Sequence, residues 1–127
     1  MKNLIFFLAI LGGMTIACSD DDSEATVTPC TDEFVPGLKV LVTNEITGAG
    51  ITEGITVTAT DGTYIEELDG LPQVQEFRGA GERVGTYTIT VTGEGYEPYV
   101  SQAVTVTRDD CHVITQNVNV ALTPTPQ

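Results

Sequence analysis

Thr86-Tyr87-Thr88-Ile89-Thr90-Val91-Thr92 alternates polar and apolar side chains without a break. Successive side chains of an extended chain point to opposite faces, so this segment buries Tyr87, Ile89 and Val91 and turns its threonines to water. The same period recurs on either side. Ile55-Thr56-Val57-Thr58-Ala59-Thr60 also alternates, Asp61-Gly62 marks a tight hairpin turn, and Thr63 to Leu68 returns. Leu38 to Thr43 reads as a first strand and Val74 to Arg78 as a short fourth one. Tyr99 to Thr107 follows the central strand, with Val104 and Val106 inward. His112 to Leu122 is the last, with Ile114, Val118, Val120 and Leu122 on one face. No stretch sustains a period of 3.6. Seven short strands with turn residues between them predict an all-β fold, a single seven-stranded β-sandwich.

Composition narrows the function classes. The chain has 127 residues, five Lys+Arg against eighteen Asp+Glu, a net charge of −13, three Cys and no Trp. That length suits one domain. Binding nucleic acid requires clustered Lys and Arg against phosphates, which this chain cannot supply. An anionic membrane surface held by charge alone is excluded for the same reason. A hydrophobic content of 41% is too high for a wholly disordered chain.

Residues 1–17 read as a secretory leader. Lys2 supplies the positive end and Leu4 to Leu11 an unbroken apolar run, too short for the roughly 20 residues of a spanning helix. Thr15-Ile16-Ala17-Cys18 resembles a bacterial lipobox, with Thr15 where that motif usually has Leu. The resemblance implies that Cys18 becomes the first residue of the mature chain and carries two or three acyl chains, palmitate among them, which anchor stably where one is marginal. The alternative is a soluble secreted protein with Cys18 as an unpaired thiol. Ser19-Asp20-Asp21-Asp22 resembles the acidic tag of surface-exported lipoproteins in some Gram-negative bacteria. It implies a lipid anchor in the outer membrane with the domain facing the cell exterior; a periplasm-facing lipoprotein is the alternative. Loss of the leader removes Lys2 and no acid, leaving the remainder one unit more negative than −13.

Residues 18–33 are rich in Asp, Glu, Ser, Thr and Pro and read as a disordered acidic tether. The sandwich spans residues 34–122, and Thr123-Pro124-Thr125-Pro126-Gln127 is a tail that cannot continue a strand. A core this small benefits from a covalent staple. Cys30 and Cys111, at the two ends of the domain in an exported context, are the expected disulfide. Closing a loop of about 80 residues is worth roughly 4.5 kcal/mol in the chain-entropy model. Two separate buried thiols are the alternative.

Gly79-Ala80-Gly81-Glu82-Arg83-Val84-Gly85-Thr86-Tyr87, then Gly95-Tyr96, then Asp110-Cys111-His112-Val113 resembles a carboxypeptidase regulatory-like domain. Thr47-Gly48 followed by Gly54-Ile55-Thr56-Val57 is similar to the opening hairpin of that family. Val84 stands where the family's turn has Pro. The resemblance implies a transthyretin-like β-sandwich that is accessory rather than catalytic.

The candidates for chemistry are few. His112 is the one histidine and sits beside Cys111, so a structural zinc site would lack ligands; it reads as a rim residue. Ser101 is the one serine beyond the tether, and no serine–histidine–aspartate order is recognisable. Glu66-Glu67 and Asp109-Asp110 are neighbours that point to opposite faces, which makes a poor acid/base dyad. Asp61, Asp69, Asp109 and Asp110 lie at predicted turns, where oxygen ligands would suit calcium. Tyr64, Phe77, Tyr96 and Tyr99 could serve a glycan, with Tyr96 drawn into the core. Glu82 and Arg83 are expected to pair locally. These residues predict a protein that is not an enzyme, needs no cofactor and has no metal site. The expected role is an accessory or interaction module that meets a protein or glycan partner at the cell surface. A ligand-binding protein for glycan or calcium is the alternative.

Overall fold

The computed structural model describes residues 29–126. The leader, lipidation at Cys18 and the acidic run after it lie outside the described residues. Among the described residues there is no helix, and nine strands build the fold. They are β1 (Leu38–Asn44), β2 (Ile55–Asp61), β3 (Tyr64–Glu67), β4 (Asp69–Leu71), β5 (Glu76–Gly79), β6 (Gly85–Gly93), β7 (Tyr99–Val100), β8 (Val104–Val106) and β9 (Gln116–Leu122).

The strands form two sheets. One has the order β4-β5-β1-β9; the other runs β3-β2-β6-β7, with β8 pairing the first part of β6. Every pairing is antiparallel except β1 with β9, which run parallel from Leu38↔Gln116 to Asn44↔Leu122. A parallel pair needs a crossover, and here it is the whole chain from β2 to β8, which builds the second sheet and adds β4 and β5 to the first. The alternation read from the sequence becomes the core. Val57 and Ala59 of β2, and Tyr87, Ile89 and Val91 of β6, face Leu38, Val40 and Val42 of β1, Phe77 of β5, and Val120 and Leu122 of β9. None of these exposes more than 3% of its surface. Threonines take the opposite face in register, Thr56↔Thr92, Thr58↔Thr90 and Thr60↔Thr88. There β-branching favours the extended chain and the hydroxyl stays near water.

Seven strands were expected, and the structure corrects that number at two places. β4 is a three-residue Asp-Gly-Leu strand, too short and too polar to show a period. It returns into β5 through Pro72 to Gln75, where the Val74 N–H reaches the Leu71 carbonyl at 3.2 Å. The single strand expected over Tyr99 to Thr107 is cut into β7 and β8. Ser101 causes the cut: its Oγ accepts the Ile89 N–H at 2.9 Å and donates to the Gln102 carbonyl at 2.7 Å, so a side chain takes the place of a ladder bond.

Three smaller expectations also shift. The hairpin loop is Gly62-Thr63, closed by the Asp61↔Tyr64 pair, and Gly62 takes φ 63° at its first position, as a type II′ turn demands. The last strand begins at Gln116, because Asp109 Oδ1 accepts the N–H groups of Cys111 and His112 at 2.8 and 2.9 Å and bends the chain there. Ile114 is consequently 45% exposed. The tail after Leu122 is docked: the Thr123 carbonyl accepts the Glu97 N–H, and the Thr125 N–H reaches the Gly95 carbonyl, both at 2.9 Å.

Candidate functional site

The strand ends at one edge of the sandwich meet the incoming chain at a loop, Ala80 to Arg83, with an unusual backbone. Ala80 and Glu82 both lie in the left-handed region, at φ 54° and 51°. Each such residue costs on the order of 1 kcal/mol and persists only where its surroundings over-determine it. Here they do. The Ala80 carbonyl accepts the Gly37 N–H at 3.0 Å, and the Ala80 N–H donates to Glu66 Oε1 at 2.9 Å. Glu82 and Val35 bind reciprocally: the Glu82 N–H to the Val35 carbonyl, and the Val35 N–H to Glu82 Oε2, both at 2.9 Å.

Glu82 and Arg83 were expected to pair with each other, and the structure separates them. The left-handed backbone at Glu82 sends the two side chains apart. Glu82 Oε2 lies 2.7 Å from His112 Nδ1. The Arg83 guanidinium donates to Asp61 Oδ2 at 3.1 Å and to the Tyr87 hydroxyl at 2.9 Å, and its carbon sits 3.7 Å over the Tyr64 ring. The far nitrogen of His112 contacts Thr31 Oγ1 at 3.1 Å. Cys30 and Cys111 stand at disulfide distance, with Cα atoms 5.2 Å apart. Residues 30–37, the first of which were assigned to a free tether, are therefore fastened to the domain by a covalent link and by the Glu82 carboxylate.

That fastening positions Phe34. Its ring is 74% exposed, and no other aromatic ring among the described residues is comparably open. It lies on the backbone at Gly81, where a Cβ would overlap Cζ and Cε1 of the ring. Phe34 forms one wall of a cleft of about 370 Å³, whose other contributors include Glu66, Asp69, Arg78 and Gly79. That volume lies within the range of small-ligand sites, roughly 300–1,000 Å³. Gly79 is required by packing beneath the cleft, since a Cβ there would come within 2.7 Å of Leu68 Cγ and 3.1 Å of Glu66 Oε2. Glu66 is held in place by the Tyr64 hydroxyl at 2.8 Å and by the Ala80 N–H. The same bond to Glu66 is the main reason the Tyr64 phenol is pushed above its ordinary range. Arg78 donates to Glu76 Oε1 at 2.6 Å and remains 38% exposed. The cleft thus offers an aromatic face, two carboxylates and a guanidinium, a set suited to stacking and hydrogen bonding.

The other predicted site residues are not gathered. Asp61 is engaged by Arg83, and Asp109 caps the turn at Cys111. Among the described residues, no group of three His, Cys, Asp or Glu stands close enough to hold a metal ion. Phe77 is buried, and Tyr96 and Tyr99 are partly buried against the core. Phe34 was missed as a site residue, although a large aromatic beside an acidic tether has no core period to explain it. No family model matches the chain, and no curated protein matches it either.

The Glu82 clamp gives a pH prediction. The Val35 N–H first, then His112 and the Val113 N–H, hold the Glu82 carboxyl below its ordinary range; the N–H groups of His112 and Cys111 do the same for Asp109. A depressed folded pKa means the ionised form favours the fold. The contribution is complete above the unfolded value near 4 and is lost as pH falls through the lower folded value. The urea midpoint is expected to fall from pH 6 to pH 3. Glu82→Gln should lower it at pH 6, and the gap to the wild type should narrow as pH falls toward 3. A deficit that stays constant with pH would show that Glu82 acts through packing rather than charge.

Proposed function

We propose that the chain is a non-catalytic envelope lipoprotein, anchored through acylated Cys18 in the outer membrane, displayed at the surface and acting as an accessory or interaction module of the carboxypeptidase regulatory-like class. The leader and the lipobox-like Thr15–Cys18 support the anchor, and Ser19–Asp22 supports display. An all-β fold of two sheets is compatible with a transthyretin-like sandwich, and the order of the glycine–tyrosine motifs supports that family. The observation that carries the interaction role is Phe34: an exposed ring held over a cleft by a strained, heavily bonded loop. A neutral glycan is the second reading, favoured by the aromatic ring beside Asp69 and Arg78.

One experiment in intact cells tests both halves. Cys18→Ala should move the protein out of the membrane fraction, and retention there would refute the anchor. With the anchor intact, a photo-crosslinking aromatic residue in place of Phe34 should give adducts that the same group at exposed Ile65 does not. Equal yields at the two positions would remove the cleft from the function.

A further inference from the structure

We propose that the protein associates with a second copy of itself, edge to edge, through β9. The register with β1 shows which groups are free. The Gln116 N–H donates to the Gly37 carbonyl, and the Leu122 carbonyl accepts from the Glu45 N–H. In this parallel ladder the even-numbered residues of β9 therefore turn their backbone groups to β1. Asn117, Asn119 and Ala121 turn theirs outward. Among the described residues β9 pairs with no other strand, and none of these three has a backbone partner. All three are exposed.

Sheet edges are normally blunted by charge, proline or shortness. The other edges here follow that rule: β3 carries Glu66 and Glu67, β4 carries Asp69, Pro98 stands before β7, and β8 has only three residues. β9 has seven residues, Gln-Asn-Val-Asn-Val-Ala-Leu, with no charge and no proline, in a chain of net charge −13. The edge is also self-complementary. An antiparallel two-fold pairing centred on Asn119 sets Asn119 against Asn119 of the second copy, and Asn117 against its Ala121. All three pairs are of the hydrogen-bonded kind, with both amides facing across. The two carboxamides at position 119 can also bond to each other on the outer face. Another protein's strand would find the amides but not this symmetry.

A cysteine at the two-fold position is the test. In a hydrogen-bonded antiparallel pair, facing Cα atoms are about 5.5 Å apart, within the disulfide window. In the purified full chain, Asn119→Cys should therefore form a reducible dimer under mild oxidation. Asn117→Cys should not, because the two copies of position 117 would be four residues out of register, about 13 Å apart. Asn119→Pro removes an outward-facing donor and fixes φ at a position on an edge strand, where proline is tolerated. It should sediment as a monomer that keeps the wild-type circular dichroism spectrum, while the wild type sediments as a dimer whose melting temperature rises with protein concentration. Salt should strengthen the wild-type association, since it screens repulsion between two acidic copies. Equal cross-linking at 117 and 119, or none at 119, overturns the proposal and leaves the edge to an extended segment of another polypeptide.

Discussion

Tyr87→Ala is expected to remove about 4–8 kcal/mol, a large share of the domain's stability, and to lower its urea midpoint sharply. Tyr87 is the largest of the fully buried side chains, at 0% exposure on the central strand β6. Truncating a buried aromatic costs about 3–5 kcal/mol through lost transfer energy and the cavity left behind. A domain of this size has on the order of 5–13 kcal/mol in total. The phenol adds a second loss. Its hydroxyl donates to the Arg83 carbonyl and accepts from the Arg83 guanidinium, both at 2.9 Å, and its ring meets Tyr64 edge-on at 6.4 Å. Removing it leaves the guanidinium with Asp61 alone and the carbonyl with nothing. Tyr87→Phe separates the two effects: it keeps the ring and should cost only about 1–3 kcal/mol. Urea unfolding followed by circular dichroism measures both. If the alanine variant unfolds at the wild-type midpoint, Tyr87 is not the centre of the core; if the phenylalanine variant is as poor as the alanine one, the hydroxyl network outweighs packing.

The second large effect is expected from Cys30→Ser with Cys111→Ser, or from reduction of the wild type: a loss of about 2–5 kcal/mol, with the upper half favoured by the long closed loop. The sequence separation is 81 residues, most of the folded domain. The loss should also have a local face. Without the link, the segment from Cys30 to Val35 keeps only the His112 contact of Thr31 and the Glu82 clamp. Proteolysis should then cut near Phe34 before the sandwich itself opens. The single and double serine variants should behave alike, since either one breaks the same bond. An unchanged urea midpoint on reduction would show that the link adds nothing to stability, and unchanged proteolysis would show that the Glu82 clamp suffices to hold Phe34.

The expectations that held and those that shifted divide along one physical line. β2 and β6 were legible to within a residue, because the alternation of Thr with Val, Ala, Ile and Tyr is a local property of each strand. The break between β7 and β8 was not. It depends on Ser101 meeting the amide of Ile89, twelve residues earlier in the chain, and a run of strand-forming residues gives no sign of that. β4 escaped notice because Asp69-Gly70-Leu71 is extended only by virtue of its neighbour, with Gly70 lying opposite Phe77. The expected pair of Glu82 with Arg83 followed from adjacency alone. Their actual partners, His112 and Asp61, stand 30 and 22 residues away.

By itself, then, the sequence determined the two-residue period, the inward faces of the long strands, the acidic character of the chain, and the two cysteines that meet. Each of these depends on residue type at short range or on simple counting. The tertiary structure alone decided that β9 lies parallel to β1 and leaves an uncharged edge open, and that residues 30–33 are fastened to the domain rather than hanging free as a tether. It also decided that Phe34 comes to rest on Gly81 beside Glu66. These are encounters between segments far apart in the chain. They are selected by how two twisted sheets close over one core, and no local pattern of side chains records which distant partner wins.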